Sequence, residues 1–143
     1  MPESQARRPY RIVLADDHAD ILEEVRCLLA PDFDVVRAVK EGLALIDAAA
    51  ELRPDAVICD IYMPGPNGIE CGVQILQRRF CDAVILLSMY NQPHLVSKAI
   101  EEGIRGYVLK EDAGAELTAA IYAVVAGRQY LSHGVRRPVS ATP

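Results

Sequence analysis

The sequence predicts an α/β domain built on a doubly wound, five-stranded parallel sheet. Three observations carry this. Short apolar runs alternate with longer stretches of helical spacing, five of each, along nearly the whole chain. Turn-forming or helix-ending residues bound most of these runs. The helical stretches are long enough to cross from one parallel strand to the next, which covers the sheet on both faces.

Residues 1–9 read as a loose lead, 10–128 as the folded domain and 129–143 as linker or disordered tail, since that tail has few large apolar residues. The first strand, Tyr10 to Ala15, holds Ile12-Val13-Leu14. Ala19 to Ala30 is a helix with Ile21, Leu22, Val25, Leu28 and Leu29 on one face, stopped by Pro31. Asp34 to Val39 is the second strand. Gly42 to Leu52 is an alanine-rich helix that ends before Arg53-Pro54, because a residue preceding proline avoids the helical region. Ala56 to Cys59 is the third strand. Asn67-Gly68 open a helix faced by Ile69, Val73 and Leu76. The fourth strand is Ala83 to Leu87. Pro93 suits the first turn of the next helix, which Gly103 closes. Gly106 to Leu109 is the fifth strand. Ala115 to Ala126 is the last helix, with Gly127 as its stop.

Composition narrows the function classes. The chain has 143 residues, about half of them hydrophobic, enough for one domain with a core. A net charge of -5 argues against a nucleic-acid surface spread over the domain. No apolar run is long enough to span a membrane, and residues 1–9 lack the apolar block of a secretory signal. Cys27, Cys59, Cys71 and Cys81 form no CxxC pair and read as reduced core thiols.

In doubly wound sheets, function collects at the carboxyl ends of the strands. The first strand delivers Asp16 and Asp17 there, the third Asp60, the fourth Ser88 and the fifth Lys110. Carboxylates gathered in one crevice repel and shift one another's ionisation. A hard divalent cation with oxygen ligands, Mg²⁺ with Mn²⁺ as a substitute, answers part of that charge, and Lys110 another part. The set suits phosphoryl transfer to a carboxylate, with Asp60 as the nucleophile and Ser88 and Lys110 on phosphoryl oxygens. Simpler roles sit beside these. Asp16-Asp17 also suit capping of the first helix. His18 reads as a surface or helix-start residue, and Cys59 as a small core residue.

These residues, in this order, resemble the receiver domain of bacterial two-component response regulators. The resemblance rests on Asp16-Asp17, on Asp60 followed by Met63-Pro64 and Gly68, on Ser88, and on Gly106-Tyr107-Val108-Leu109-Lys110; it covers Arg11 to Gly127. It implies a flavodoxin-like (βα)5 fold with strand order 2-1-3-4-5 and a phosphoacceptor at Asp60. It implies a metal bound by Asp17 directly with Asp16 in support, and Asp60 and the backbone carbonyl of Tyr62 completing the protein ligands. Ser88 and Tyr107 would be a switch pair: Ser88 moves to the phosphoryl group and Tyr107 rotates into the space left. Tyr62, Met89 and Tyr90 would flank the site and gate hydrolytic water. The implied donor is a sensor histidine kinase, in the cytoplasm. The domain would catalyse its own phosphorylation and dephosphorylation, without turnover of an external substrate.

Glu111, Gly114 to Leu117 and Gly127 to Ser132 are similar to the subgroup that usually carries a LuxR-type helix-turn-helix domain behind the receiver. Nucleic acid is then expected only through a domain absent from this chain, and a homodimer through the first or fifth helix. The alternative is a stand-alone receiver or pseudo-receiver acting through protein contacts alone. A haloacid-dehalogenase-type phosphatase would want a second Asp where Tyr62 stands. A flavodoxin-like cofactor binder would want a phosphate loop where Asp16-Asp17 stand.

Overall fold

Alternation along each strand decides how the sheet is covered. The computed structural model describes residues 8–136. Its strands are β1 (Arg11–Ala15), β2 (Asp34–Val39), β3 (Ala56–Cys59), β4 (Val84–Ser88), β5 (Gly106–Leu109) and β6 (Tyr130–Leu131). Its helices are α1 (Ala19–Leu29), α2 (Gly42–Leu52), α3 (Gly68–Gln77), α4 (Pro93–Glu101), α5 (Ala113–Val125) and the short α6 (His133–Arg136). In β1, Ile12 and Leu14 point to one face and join Leu29, Leu117, Ile121 and Val124 of α1 and α5. Val13 and Ala15 point to the other and join Leu45, Ile69, Ile75 and Val96 of α2, α3 and α4. β1, β3, β4 and β5 are buried on both faces, which explains why they read as unbroken apolar runs.

The sheet is parallel throughout, in the order β2-β1-β3-β4-β5-β6. The expected order 2-1-3-4-5 is there, extended by one strand. The expectation that residues 129–143 are linker or disordered is corrected for its first part. Tyr130 N donates to Arg105 O at 2.8 Å and Ser132 N to Tyr107 O at 3.0 Å, so the chain returns to occupy the edge of β5. An open β5 edge would leave backbone donors and acceptors unpaired. Residues 137–143 lie outside the described residues, as do 1–7 of the expected lead; Arg8 and Pro9 carry no regular structure.

Local chemistry ends the elements where their residues require it. Arg53 takes a left-handed conformation at φ 47°, which ends α2 one residue before Pro54. Asn67 caps α3 in a reciprocal box: its side chain accepts from Glu70 N at 2.9 Å, and the Glu70 carboxylate accepts from Asn67 N at 2.8 Å. The next residue, Gly68, presses against the chain leaving β3, and a Cβ there would collide with the Asp60 carbonyl oxygen. Gly68→Ala is therefore expected to destabilise the fold by about 2 kcal/mol, the usual scale of overpacking. A urea midpoint lowered at unchanged slope would show it. An unchanged midpoint would mean that the backbone yields freely at this point.

Candidate phosphoacceptor site

β1, β3 and β5 end at the same edge of the sheet. Ala15 pairs in register with Cys59, and Asp60 N donates to Ala15 O at 2.9 Å, so Asp16 and Asp60 leave neighbouring strand ends together. Lys110 follows β5 and opens a single 3-10 turn (Lys110–Asp112). Its Nζ lies 2.8 Å from Asp16 Oδ2 and 3.3 Å from Asp60 Oδ2. All three side chains are largely buried: Asp16 is 4%, Asp60 7% and Lys110 12% exposed. The close approach to Asp16 is an ion pair without hydrogen-bond alignment, so Asp16 Oδ2 has no hydrogen-bond partner despite its burial.

Two buried carboxylates share one ammonium, so charge is left over. Burial pushes the Asp60 carboxyl above its ordinary range and Asp16 adds to this; Lys110 opposes both. The Tyr62 N–H reaches Asp60 Oδ1 at a long 3.4 Å. Asp17 lies at the mouth of the crevice. Asp16, Asp17, His18 and Asp60 each bring a ligand atom within 4.8 Å of one another. The donor set is oxygen-rich and acidic, and it holds the buried Asp16 oxygen that lacks a hydrogen bond. These residues fit a hard divalent cation such as Mg²⁺.

The opposite wall comes from the loop after β4. Ser88 is fully buried, accepts from Tyr90 N at 3.2 Å and donates to Tyr90 O at 3.3 Å. The Tyr107 hydroxyl donates to the same carbonyl at 3.2 Å. Tyr107 is buried, and burial raises its phenol. Tyr62, Met89 and Tyr90 are exposed around the rim.

The sequence model of the response regulator receiver domain matches residues 12–122. This chain belongs to the response regulator receiver family. The receiver is 30% identical over 138 residues to the nitrate/nitrite response regulator protein NarL of Escherichia coli (strain K12), covering 95% of this chain and 64% of NarL. It is 32% identical over 133 residues to the transcriptional regulatory protein DegU of Brevibacillus brevis, covering 92% of this chain and 56% of DegU. The chain thus spans less than two thirds of either relative. Among solved structures, it superposes on a LuxR-family two-component response regulator from Aurantimonas sp. SI85-9A1 with a TM-score of 0.83. The two are 34% identical, over 90% of this chain and 93% of that one.

The receiver brings Asp16, Asp60 and Lys110 into contact, with Asp17 beside them. Ser88 ends β4 and Tyr107 lies within the neighbouring β5, and their hydroxyls meet at the Tyr90 carbonyl. Tyr107 is already buried here, with its hydroxyl on the Tyr90 carbonyl, while Ser88 Oγ keeps both of its bonds to the Tyr90 backbone. Three features escaped the sequence reading. His18 is exposed and stands at the start of α1 as expected, yet its Nδ1 lies 3.1 Å from Asp16 Oδ1 and 3.0 Å from Asp17 Oδ1. Gln92 takes the Tyr62 hydroxyl at 3.0 Å and so ties the two rims together. The expected capping of α1 by the acid pair takes another form: Asp16 accepts from His18 N at 2.9 Å, and no side chain caps the helix. The cysteine reading needs one correction. Cys59, Cys71 and Cys81 are buried, but Cys27 lies on the solvent face of α1. Burial pushes the Cys71 and Cys81 thiols up to about 11, which keeps them protonated.

Proposed function

We propose that this receiver accepts a phosphoryl group on Asp60 from a sensor histidine kinase and passes the event to an output outside the chain. The observation that carries the reading is the buried Asp60 carboxylate paired with Lys110 beside a second buried acid. In the step, an Asp60 carboxylate oxygen bonds to phosphorus as the donor's P–N bond breaks. The electron pair leaves with the imidazole, which takes a proton from solvent. Lys110 moves its charge from the carboxylates to a phosphoryl oxygen, and Ser88 gives its hydroxyl to another. Asp17, Asp60 and the Tyr62 carbonyl would hold Mg²⁺ or Mn²⁺, with Asp16 in support. When bound, the cation supplies charge neutralisation at the phosphoryl oxygens.

Ser88 and Tyr107 form the switch in this reading. Moving Ser88 Oγ to a phosphoryl oxygen gives up both of its bonds to the Tyr90 backbone, and Tyr107 shares that carbonyl. The product biases two existing arrangements of the loop. The similarity to NarL, DegU and a LuxR-family regulator supports transcription as the output, through a DNA-binding domain beyond this chain. A cytoplasmic location and two-fold association through α1 or α5 belong to the same reading. No helix among the described residues is long and apolar enough to cross a membrane.

Intact mass after incubation with acetyl phosphate, with and without Mg²⁺, tests the reading. One added phosphoryl group that needs Mg²⁺ is the expected result. No gain, from acetyl phosphate or from a histidine kinase, would leave a pseudo-receiver acting through protein contacts. A second measurement concerns lifetime. Tyr62, Met89 and Tyr90 follow the strand ends that carry Asp60 and Ser88, all three are exposed, and Gln92 fixes the Tyr62 hydroxyl. Tyr90→Ala opens that rim to water and is expected to shorten the half-life of the phosphorylated form several-fold. A half-life equal to or longer than wild type would remove the gating role.

A further inference from the structure

The last described turn of the chain is fastened to the receiver by more bonds than a passing linker needs. Asp112 Oδ2 accepts from Ser132 Oγ at 2.7 Å and from Gly134 N at 2.8 Å. Ser132 is fully buried, and its hydroxyl also accepts from Leu109 N at 3.0 Å. The Glu116 carboxylate accepts from the Tyr130 hydroxyl at 2.7 Å and from His133 N at 2.9 Å. It also pairs with Arg136 at 3.6 Å. Gly134 fits because it lacks a side chain; a Cβ there would strike Leu109. Asp112 and Glu116 stand at the start of α5 and form a fixed seat.

A further bond to this segment comes from the loop after β4. Asn91 Nδ2 donates to Gly134 O at 3.0 Å. Asn91 belongs to the loop that Ser88 shapes through Tyr90 N and Tyr90 O, and it directly follows Tyr90. Ser132 N, in turn, donates to the carbonyl of Tyr107, whose hydroxyl holds Tyr90 O. The C-terminal segment thus rests on a static seat and on one contact that reports the shape of the Ser88–Gln92 loop.

We propose that Tyr130–Arg136 is a latch whose hold depends on the state of Asp60, with Asn91 as the residue that reads the site. It rests on the phosphoacceptor reading. When Ser88 Oγ leaves Tyr90 for a phosphoryl oxygen, the turn from Ser88 to Tyr90 opens and draws Asn91 off Gly134. The segment then opens more often, and with it the point from which the following chain departs. One intramolecular hydrogen bond corresponds to a change of about fivefold in that opening equilibrium.

Amide hydrogen exchange on the whole chain, with Mg²⁺ and beryllofluoride as a phosphoryl mimic, tests the latch, and fluorine NMR reports whether the mimic is bound. The expected result is exchange about fivefold faster at Ser132, His133 and Gly134, with β1 and β3 unchanged. Asn91→Ala should show the faster exchange already without the mimic and no further response. Asp112→Asn should loosen the segment in both states and keep the response. A bound fluorine signal with unchanged or slower exchange at Ser132–Gly134 would overturn the latch alone. A full response in Asn91→Ala would remove Asn91 as its reader. Absence of the fluorine signal would overturn the phosphoacceptor reading, and the latch with it.

Discussion

Asp60→Asn is expected to abolish phosphoryl uptake completely while leaving the fold as stable as wild type, or more so. The amide keeps the size of the carboxyl and an acceptor for Tyr62 N–H, but its oxygen is too weak a nucleophile to take a phosphoryl group. The stability half follows from the sign of the ionisation shift. Burial and Asp16 raise the Asp60 carboxyl above its ordinary 3.8, so the folded state binds that proton more tightly than the unfolded chain does. The ionised form therefore costs stability at neutral pH. That cost fades as the pH falls through the raised value. Asparagine removes it at every pH, and Lys110 keeps Asp16 as its partner at 2.8 Å. Intact mass and thermal melting across pH check both halves. Any phosphoryl gain in the variant would point to another acceptor. A clearly lower melting temperature would make Asp60 a structural residue first.

What could be read ahead of the structure follows the length of each signal. β1, β3, β4 and β5 are buried on both faces, so each appears as a short, mostly apolar run; a longer one, residues 119–126, runs through the end of α5, and length separates the two kinds. The helices show one apolar face over several turns. β6 has two residues, Tyr130 and Leu131, too few for any period to appear. It exists because β5 has an edge to cover, and that need is invisible in the tail's own composition. The site was legible for the same topological reason: strand ends in a doubly wound sheet converge, so residues far apart in sequence can be grouped before any distance is known. Contacts between neighbours along the chain were harder. His18 over the two acids and Gln92 under the Tyr62 hydroxyl depend on side-chain directions at a turn. Residue order does not encode these directions with any regular spacing.

Lys110→Met is expected to show the second large effect, and it separates two roles of one charge. Among the described residues, Lys110 is the only lysine or arginine paired with the buried Asp16 and Asp60, with His18 beside Asp16. Removing one member of a buried ionic group leaves charge uncompensated, which costs about 3 kcal/mol. That cost arises from two carboxylates facing each other, so it should shrink when Mg²⁺ is added, when the pH is lowered, or when Asp16→Asn is combined with it. The loss in phosphoryl transfer has a different origin. The ammonium stabilises charge on the phosphoryl oxygens as transfer proceeds, and loss of one such group costs on the order of 10²–10³ in rate. Neither low pH nor Asp16→Asn restores a positive group at that point. The double variant should therefore regain much of its melting temperature and almost none of its phosphorylation rate. Were rate and stability to recover together, Lys110 would act by holding the acids in place. Were neither to change in Lys110→Met, the ion pair with Asp16 would be dispensable, and the electrostatic account of the site would fail.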